Sequence, residues 1–126
     1  MVQKKLVYMY LTFYVHNKEN QDLALLAINT MYKDCHHSNP MIRGFALRSL
    51  SSLKVKNLVE YIRPMVLKGL QDTASYVRKT AAIATIKLYH ISPRSVQGFY
   101  FLSGNQKINV FTIFMQNLKL WIYCMT

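Results

Sequence analysis

Ser38-Asn39-Pro40-Met41-Ile42-Arg43-Gly44-Phe45-Ala46 and Thr73-Ala74-Ser75-Tyr76-Val77-Arg78-Lys79-Thr80-Ala81 stand 35 residues apart and read alike. Ser38 falls on Thr73, Ile42 on Val77, Arg43 on Arg78 and Ala46 on Ala81; further on, Leu53 falls on Leu88. Each copy is a polar turn followed by apolar residues at helical spacing, a turn feeding a helix. In the first copy Pro40 suits the first helical position, and Ser38 or Asn39 suits the cap. The preceding segments repeat at the same shift, with Leu23 on Leu58, Ala27 on Ile62, Met31 on Val66 and Lys33 on Lys68. A helix pair recurring at a period of roughly 20–50 residues signals a solenoid, because one hairpin cannot bury its apolar stripe alone and neighbours stack to finish the core. The fold class is all-α, an α-solenoid of stacked helical hairpins.

Working outward, residues 2–15 place Leu6, Val7, Tyr10, Leu11 and Tyr14 on one face. At a shift of 39 residues, Lys4, Val7 and Leu11 fall on Arg43, Ala46 and Leu50. A polar loop, 16–21, precedes a second helix over 22–35 that carries Leu23, Leu26, Ala27, Thr30 and Met31 on one face; Asp22 suits its positive dipole end. The third helix, 40–53, presents Ile42, Ala46, Leu50 and Leu53. A basic connector leads to a fourth, 57–71, where Pro64 removes a backbone donor and predicts a kink. Asp72, Thr73 and Ser75 signal a fifth, 75–90, with Val77, Ala81, Ile83, Ala84, Ile86 and Leu88. The first helix needs a neighbour before it, so the chain is expected to be an excerpt of a longer solenoid or a subunit covered by partners.

The chain has 126 residues, 52% of them hydrophobic, about one domain. Its net charge of +11 permits acidic partners without choosing among nucleic acid, anionic lipid and protein. All five acids precede residue 73. No secretory leader or apolar run long enough to span a membrane is read. Two cysteines, Cys35 and Cys124, make no disulfide framework. Cys35-His36-His37 is too compact to give a tetrahedral metal site, so no metal or cofactor is expected. No nucleophile elbow, phosphate loop, zinc-protease motif or paired carboxylates occur, and no enzyme activity is expected.

The blocks then acquire a resemblance. Lys4-Lys5-Leu6-Val7-Tyr8-Met9-Tyr10-Leu11 resembles the KKLVYLYL helix of β-adaptins, the large β subunits of heterotetrameric vesicle adaptor complexes. Asp22-Leu23-Ala24-Leu25-Leu26-Ala27-Ile28-Asn29-Thr30, Lys33-Asp34-Cys35, Asn39-Pro40-Met41-Ile42-Arg43, Ala46-Leu47-Arg48, Glu60-Tyr61-Ile62 and Ser75-Tyr76-Val77-Arg78-Lys79-Thr80-Ala81-Ala82 follow in the family's order. The wording is most similar to the β subunits of the fourth such complex. The resemblance implies a trunk of HEAT/armadillo-like hairpins over 1–92. It implies a scaffold in vesicle-mediated cargo sorting, partnered by another large subunit, a small subunit and an ARF-type GTPase. It places such a chain in the cytoplasm, peripheral on trans-Golgi or endosomal membranes. Residues 93–126 depart from the pattern, with Phe101, Phe111, Phe114, Trp121 and Tyr123 and no acid, and are expected to be a divergent, aberrant end.

Site expectations follow. Leu25 and Ile28 fall off the main apolar face of the second helix and are candidate partner contacts; packing on the first helix is the alternative. Lys4, Lys5, Lys54 and Lys56 are candidate contacts to anionic lipid. Arg43 and Arg78 are read as repeat positions that bond turn carbonyls or acids such as Asp72, with anion binding as the alternative. Two other readings of the whole chain are a free-standing basic repeat module that binds nucleic acid and a truncated product without function. The adaptor reading expects no nucleic acid.

Overall fold

Asn39 and Pro40 start the central helix as their chemistry dictates. In the computed structural model, which describes residues 2–15, 21–103, 106–109 and 112, the Asn39 side chain accepts the Met41 N–H at 2.9 Å, and Pro40 opens helix α3, Pro40–Ser51. Such a cap is worth about 1 kcal/mol. Before it lie α1, Val2–Tyr14, and α2, Gln21–Asp34; after it come α4, Val59–Leu70, and α5, Ser75–Ile91. A short 3-10 turn, Lys56–Leu58, leads into α4. Pro64 lies within α4 on its exposed side, and the helix continues through it to Leu70. Asp72 accepts the Ala74 N–H at 2.8 Å and so shapes the turn into α5.

The helices stack as the period requires. α3 packs against α1 on one side and α5 on the other, while α2 leans on α3 and α4 on α5. Equivalent positions turn the same way: Ala46 and Ala81 are both fully buried, as are Leu53 and Leu88, and Met31 and Val66. Two glycines permit the close approaches. A Cβ on Gly44 would lie 2.4 Å from the Tyr76 ring, and one on Gly69 would lie 2.7 Å from Leu47 Cδ2 and 3.0 Å from Ala81 Cβ.

Three sequence expectations are corrected. In α1 Leu11 turns inward as expected, but its companions there are Tyr8 and, just past the helix end, Val15, whereas Leu6, Val7 and Tyr10 are exposed. The helix is apolar on more than one side, and the side that turns in lets Tyr8 stack on Phe45, with ring centroids 5.7 Å apart. In α2 Ile28 is buried with Met31, and Leu26 is 68% exposed. In α5 Ile83 is exposed, because no helix lies on its outer side among the described residues.

Past α5 the packed core continues. A 3-10 turn, Pro93–Val96, brings Val96 and Phe99 against the stack, both buried. Arg63 of α4 donates from Nε to the Ser95 carbonyl at 2.8 Å, and its guanidinium lies 5.9 Å from the centre of the Phe99 ring. Gly98 sits at φ +81°, a backbone region that favours glycine. An antiparallel hairpin follows, β1, Tyr100–Ser103, and β2, Gln106–Asn109, with Phe101 opposite Ile108; periodicity gave no sign of these strands. Phe111, Phe114, Trp121, Tyr123 and Cys124 lie outside the described residues.

Candidate functional site

The turns at one edge of the stack form a ladder of side chains. Arg43, near the start of α3, donates from Nη1 to the carbonyls of His37 and Ser38 at 2.9 and 2.8 Å, closing its own turn. Its other edge, Nε and Nη2, meets both carboxylate oxygens of Asp72 in the next turn, at 2.9 and 2.8 Å. Arg78 repeats the first half of the pattern at the same period, donating from Nη1 to the carbonyls of Asp72 and Thr73 at 2.8 and 2.7 Å. Asp72 therefore joins two consecutive turns. The Arg43 bonds, first, hold its carboxyl below the usual carboxylate range against the opposing cost of burial, and the Ala74 N–H adds to them.

A second charged rung joins α1 to α2. Asp34, buried at the end of α2, accepts both a bond from the Tyr8 hydroxyl and bonds from Lys4 Nζ at 3.0 and 3.1 Å. Burial pushes the Asp34 carboxyl up, but the Tyr8 and Lys4 bonds together outweigh it and leave the pKa lowered. Burial, then Asp34, raises the Tyr8 phenol well above its ordinary value. Nothing in local periodicity announced this cluster. The available signal was the alignment of Lys4 on Arg43: both are cations that reach an acid near the next turn.

The sequence-predicted site residues scatter accordingly. Leu25 is 48% exposed on α2. Ile28 is 3% exposed, so its assignment as a partner contact is corrected: it packs in the core with Met31, and no partner reaches it without opening the stack. Lys4, Lys5, Lys54 and Lys56 are all exposed, and Lys4 is also paired with Asp34. Arg43 and Arg78 sit in the turn ladder.

The sequence expectation that the first helix needs a further neighbour meets large exposed apolar residues on the first two helices. Leu6, Tyr10 and Phe13 of α1 are 62%, 64% and 76% exposed. Leu25, Leu26 and Tyr32 of α2 are exposed as well. Large apolar side chains exposed on a surface suit a protein or membrane contact where they form a contiguous patch.

The remaining candidate chemistry is quiet. Burial and the nearby Asp34 carboxylate push the Cys35 thiol up to about 12, far from a reactive thiolate. His37 Nδ1 accepts the Asn39 N–H at 3.0 Å and thereby steadies the turn. Among the described residues no group of three His, Cys, Asp or Glu side chains could hold a metal ion, and no helix is long and apolar enough to cross a membrane.

Residues 1–108 match the family described as the adaptin N terminal region. Mouse AP-4 complex subunit beta-1 is 52% identical over 91 residues, which cover 72% of this chain and 12% of that protein. Beta-adaptin-like protein A of Arabidopsis thaliana is 53% identical over 93 residues, 74% of this chain and 11% of that protein. Human AP-1 complex subunit beta-1 is 44% identical over 98 residues, 76% of this chain and 10% of that protein. The chain thus spans about a tenth of the length of these relatives.

Proposed function

This chain belongs to the adaptin family through its N-terminal region, and on that premise we propose that it is a non-enzymatic scaffold subunit of a vesicle adaptor complex, acting in intracellular transport and cargo sorting. The observation that carries the reading is the set of large apolar side chains left exposed on α1 and on α2, while other apolar residues of the chain are buried in a shared core. Exposed apolar side chains gain free energy by meeting another protein. The relatives' names make them adaptor-complex subunits, which supports partner subunits as the occupants.

In this reading the partner large subunit and the small subunit pack along the stack. An ARF-type GTPase meets the outer side of α2 around Leu25. Lys5, Lys54 and Lys56, exposed and basic, lie against anionic lipid, each contributing about 1 kcal/mol near such a surface. The chain then works on the cytoplasmic side of trans-Golgi or endosomal membranes as a peripheral protein.

The test is capture of purified adaptor small and large subunits, and of GTP-loaded ARF, by the immobilised full chain. Capture that weakens at least tenfold in Leu25→Asp or Tyr10→Asp, with an unchanged circular dichroism spectrum, is expected. The net charge of +11 makes nucleic acid the competing partner. A chain that melts cooperatively and captures none of these proteins, yet binds RNA or DNA with an affinity that falls steeply with salt, overturns the reading.

A further inference from the structure

The contact of α3 with α5 is closed by a ring, and the contact of α1 with α3 is not. At the first, the Tyr76 ring lies over Gly44, so near that a Cβ there would be 2.4 Å from it. One repeat earlier, at the shifts of 35 and 39 residues, the same two places fall to Met41 and Lys5. Met41 is exposed. Between α1 and α3 a cavity of about 270 Å³ opens, walled by Val2 and Tyr8 on one side and by Ile42 and Phe45 on the other. Phe45 falls on Thr80 in the next repeat, so its aromatic wall has no counterpart there either.

The chemistry of the lining says what fits. The Tyr8 ring is stacked on Phe45, and its hydroxyl donates to Asp34. Asp34, the one acid in the lining, also accepts from Lys4, so its charge is already answered. No buried side-chain nitrogen or oxygen among the described residues lacks a partner, so the cavity suits an apolar group. Its volume lies below the roughly 300–1,000 Å³ of pockets that enclose a small molecule and matches one or two side chains. Lys5 also lines the cavity; it is exposed and has no carboxylate partner among the described residues. A lysine so placed lays its stem along an apolar wall and keeps its charged end in water.

We propose that the cavity between α1 and α3 docks an acidic peptide segment of a partner protein, which seats one large aliphatic side chain between Tyr8, Ile42 and Phe45 and sets a neighbouring carboxylate against Lys5. Charge complementarity selects the occupant: an apolar hole beside an unpaired cation, on a chain of net charge +11, favours an aliphatic residue flanked by acids. While the peptide is bound, Lys5 serves it instead of lipid. The proposal stands on this cavity and does not rest on the adaptor reading.

The test titrates the isotopically labelled full chain with a short peptide blocked at both ends, Gly-Glu-Leu-Glu-Gly, and follows the ring signals of Tyr8 and Phe45 by nuclear magnetic resonance. Saturable shifts of both rings are expected. Replacing the peptide's leucine by alanine weakens binding about tenfold, the cost of forgoing the buried side chain. Lys5→Met keeps an apolar stem and loses the charge. It leaves the circular dichroism spectrum unchanged, because Lys5 is exposed, and weakens binding roughly threefold. Octanoate serves as the probe for a fatty acyl occupant. Equal affinity for the leucine and alanine peptides means that net charge alone attracts the acid, and overturns the docking. Unmoved rings, or undiminished affinity in Lys5→Met, overturn it as well. Octanoate that moves the rings at lower concentration than the peptide overturns it in favour of lipid.

Discussion

Replacing Arg43 and Arg78 by methionine, one at a time, separates two kinds of bond that share one repeat position. Arg78→Met removes two bonds to turn carbonyls. Arg43→Met removes the equivalent pair and also the two-pronged contact to Asp72. The carboxylate pair is only partly shielded, with side-chain exposures of 17% and 14%. Bonds to charged groups are worth roughly 1.5–3 kcal/mol when protected and exposed ion pairs below about 1 kcal/mol, so the contact is placed at about 2 kcal/mol. Arg78→Met should then cost about 1 kcal/mol and Arg43→Met about 3 kcal/mol. In a chain of this size the difference is roughly 5–10 °C in unfolding midpoint. Urea unfolding of the full chain, followed by circular dichroism, supplies the free energies. Asp72→Asn keeps an acceptor for the Ala74 N–H, so the cycle with Arg43→Met isolates the ion pair at about 1.5–2 kcal/mol of coupling. A coupling below about 0.5 kcal/mol, or equal costs for the two arginines, would refute the ladder.

The other predictions concern packing, acid and the thiol. Gly69→Ala should destabilise by about 1–3 kcal/mol, because the new methyl meets Ala81 Cβ at 3.0 Å where helices cross; chemical unfolding measures it, and a neutral result would mean that α4 shifts freely. The carboxyl pKa values of Asp34 and Asp72 are lowered in the folded chain, so their stabilisation is complete above about pH 4, the unfolded value, and is lost as pH falls through the lower folded values. Urea midpoints should therefore hold level from pH 5 to 7 and drop below about pH 4, with the drop reduced in Asp72→Asn. Cys35, with its thiol raised to about 12, should react with iodoacetamide at pH 8 far more slowly in the folded chain than in urea; equal rates would contradict its burial.

Much of the fold was legible because stacking repeats itself. The pairs Ala46 with Ala81 and Leu53 with Leu88 could be aligned from sequence, and all four are buried. The inward side of α1 was not legible. Leu6, Val7 and Tyr10 satisfy helical spacing as well as Tyr8, Leu11 and Val15 do, and the choice between them is made by Asp34 and Phe45, which lie far off in the chain. The same limit applies to Ile28 and Leu25: three residues apart, they separate into core and surface only once α2 is placed on α3. Phe99 is buried although it lies beyond the last repeated position, because it docks on α4 through Arg63 rather than through a further helix pair. The Lys87–Ser52 contact joins residues that periodicity treats as equivalents, so alignment alone could not show them touching.

Hydrogen exchange of the full chain, alone and mixed with the purified partner large subunit, tests the scaffold reading most directly. Slow exchange in α3, α4 and α5 from the outset, with new protection confined to α1 and to residues 25–32 of α2 on mixing, is the predicted pattern. Fast exchange throughout the free chain, or a mixture in which α1 and α2 gain no protection, would contradict it.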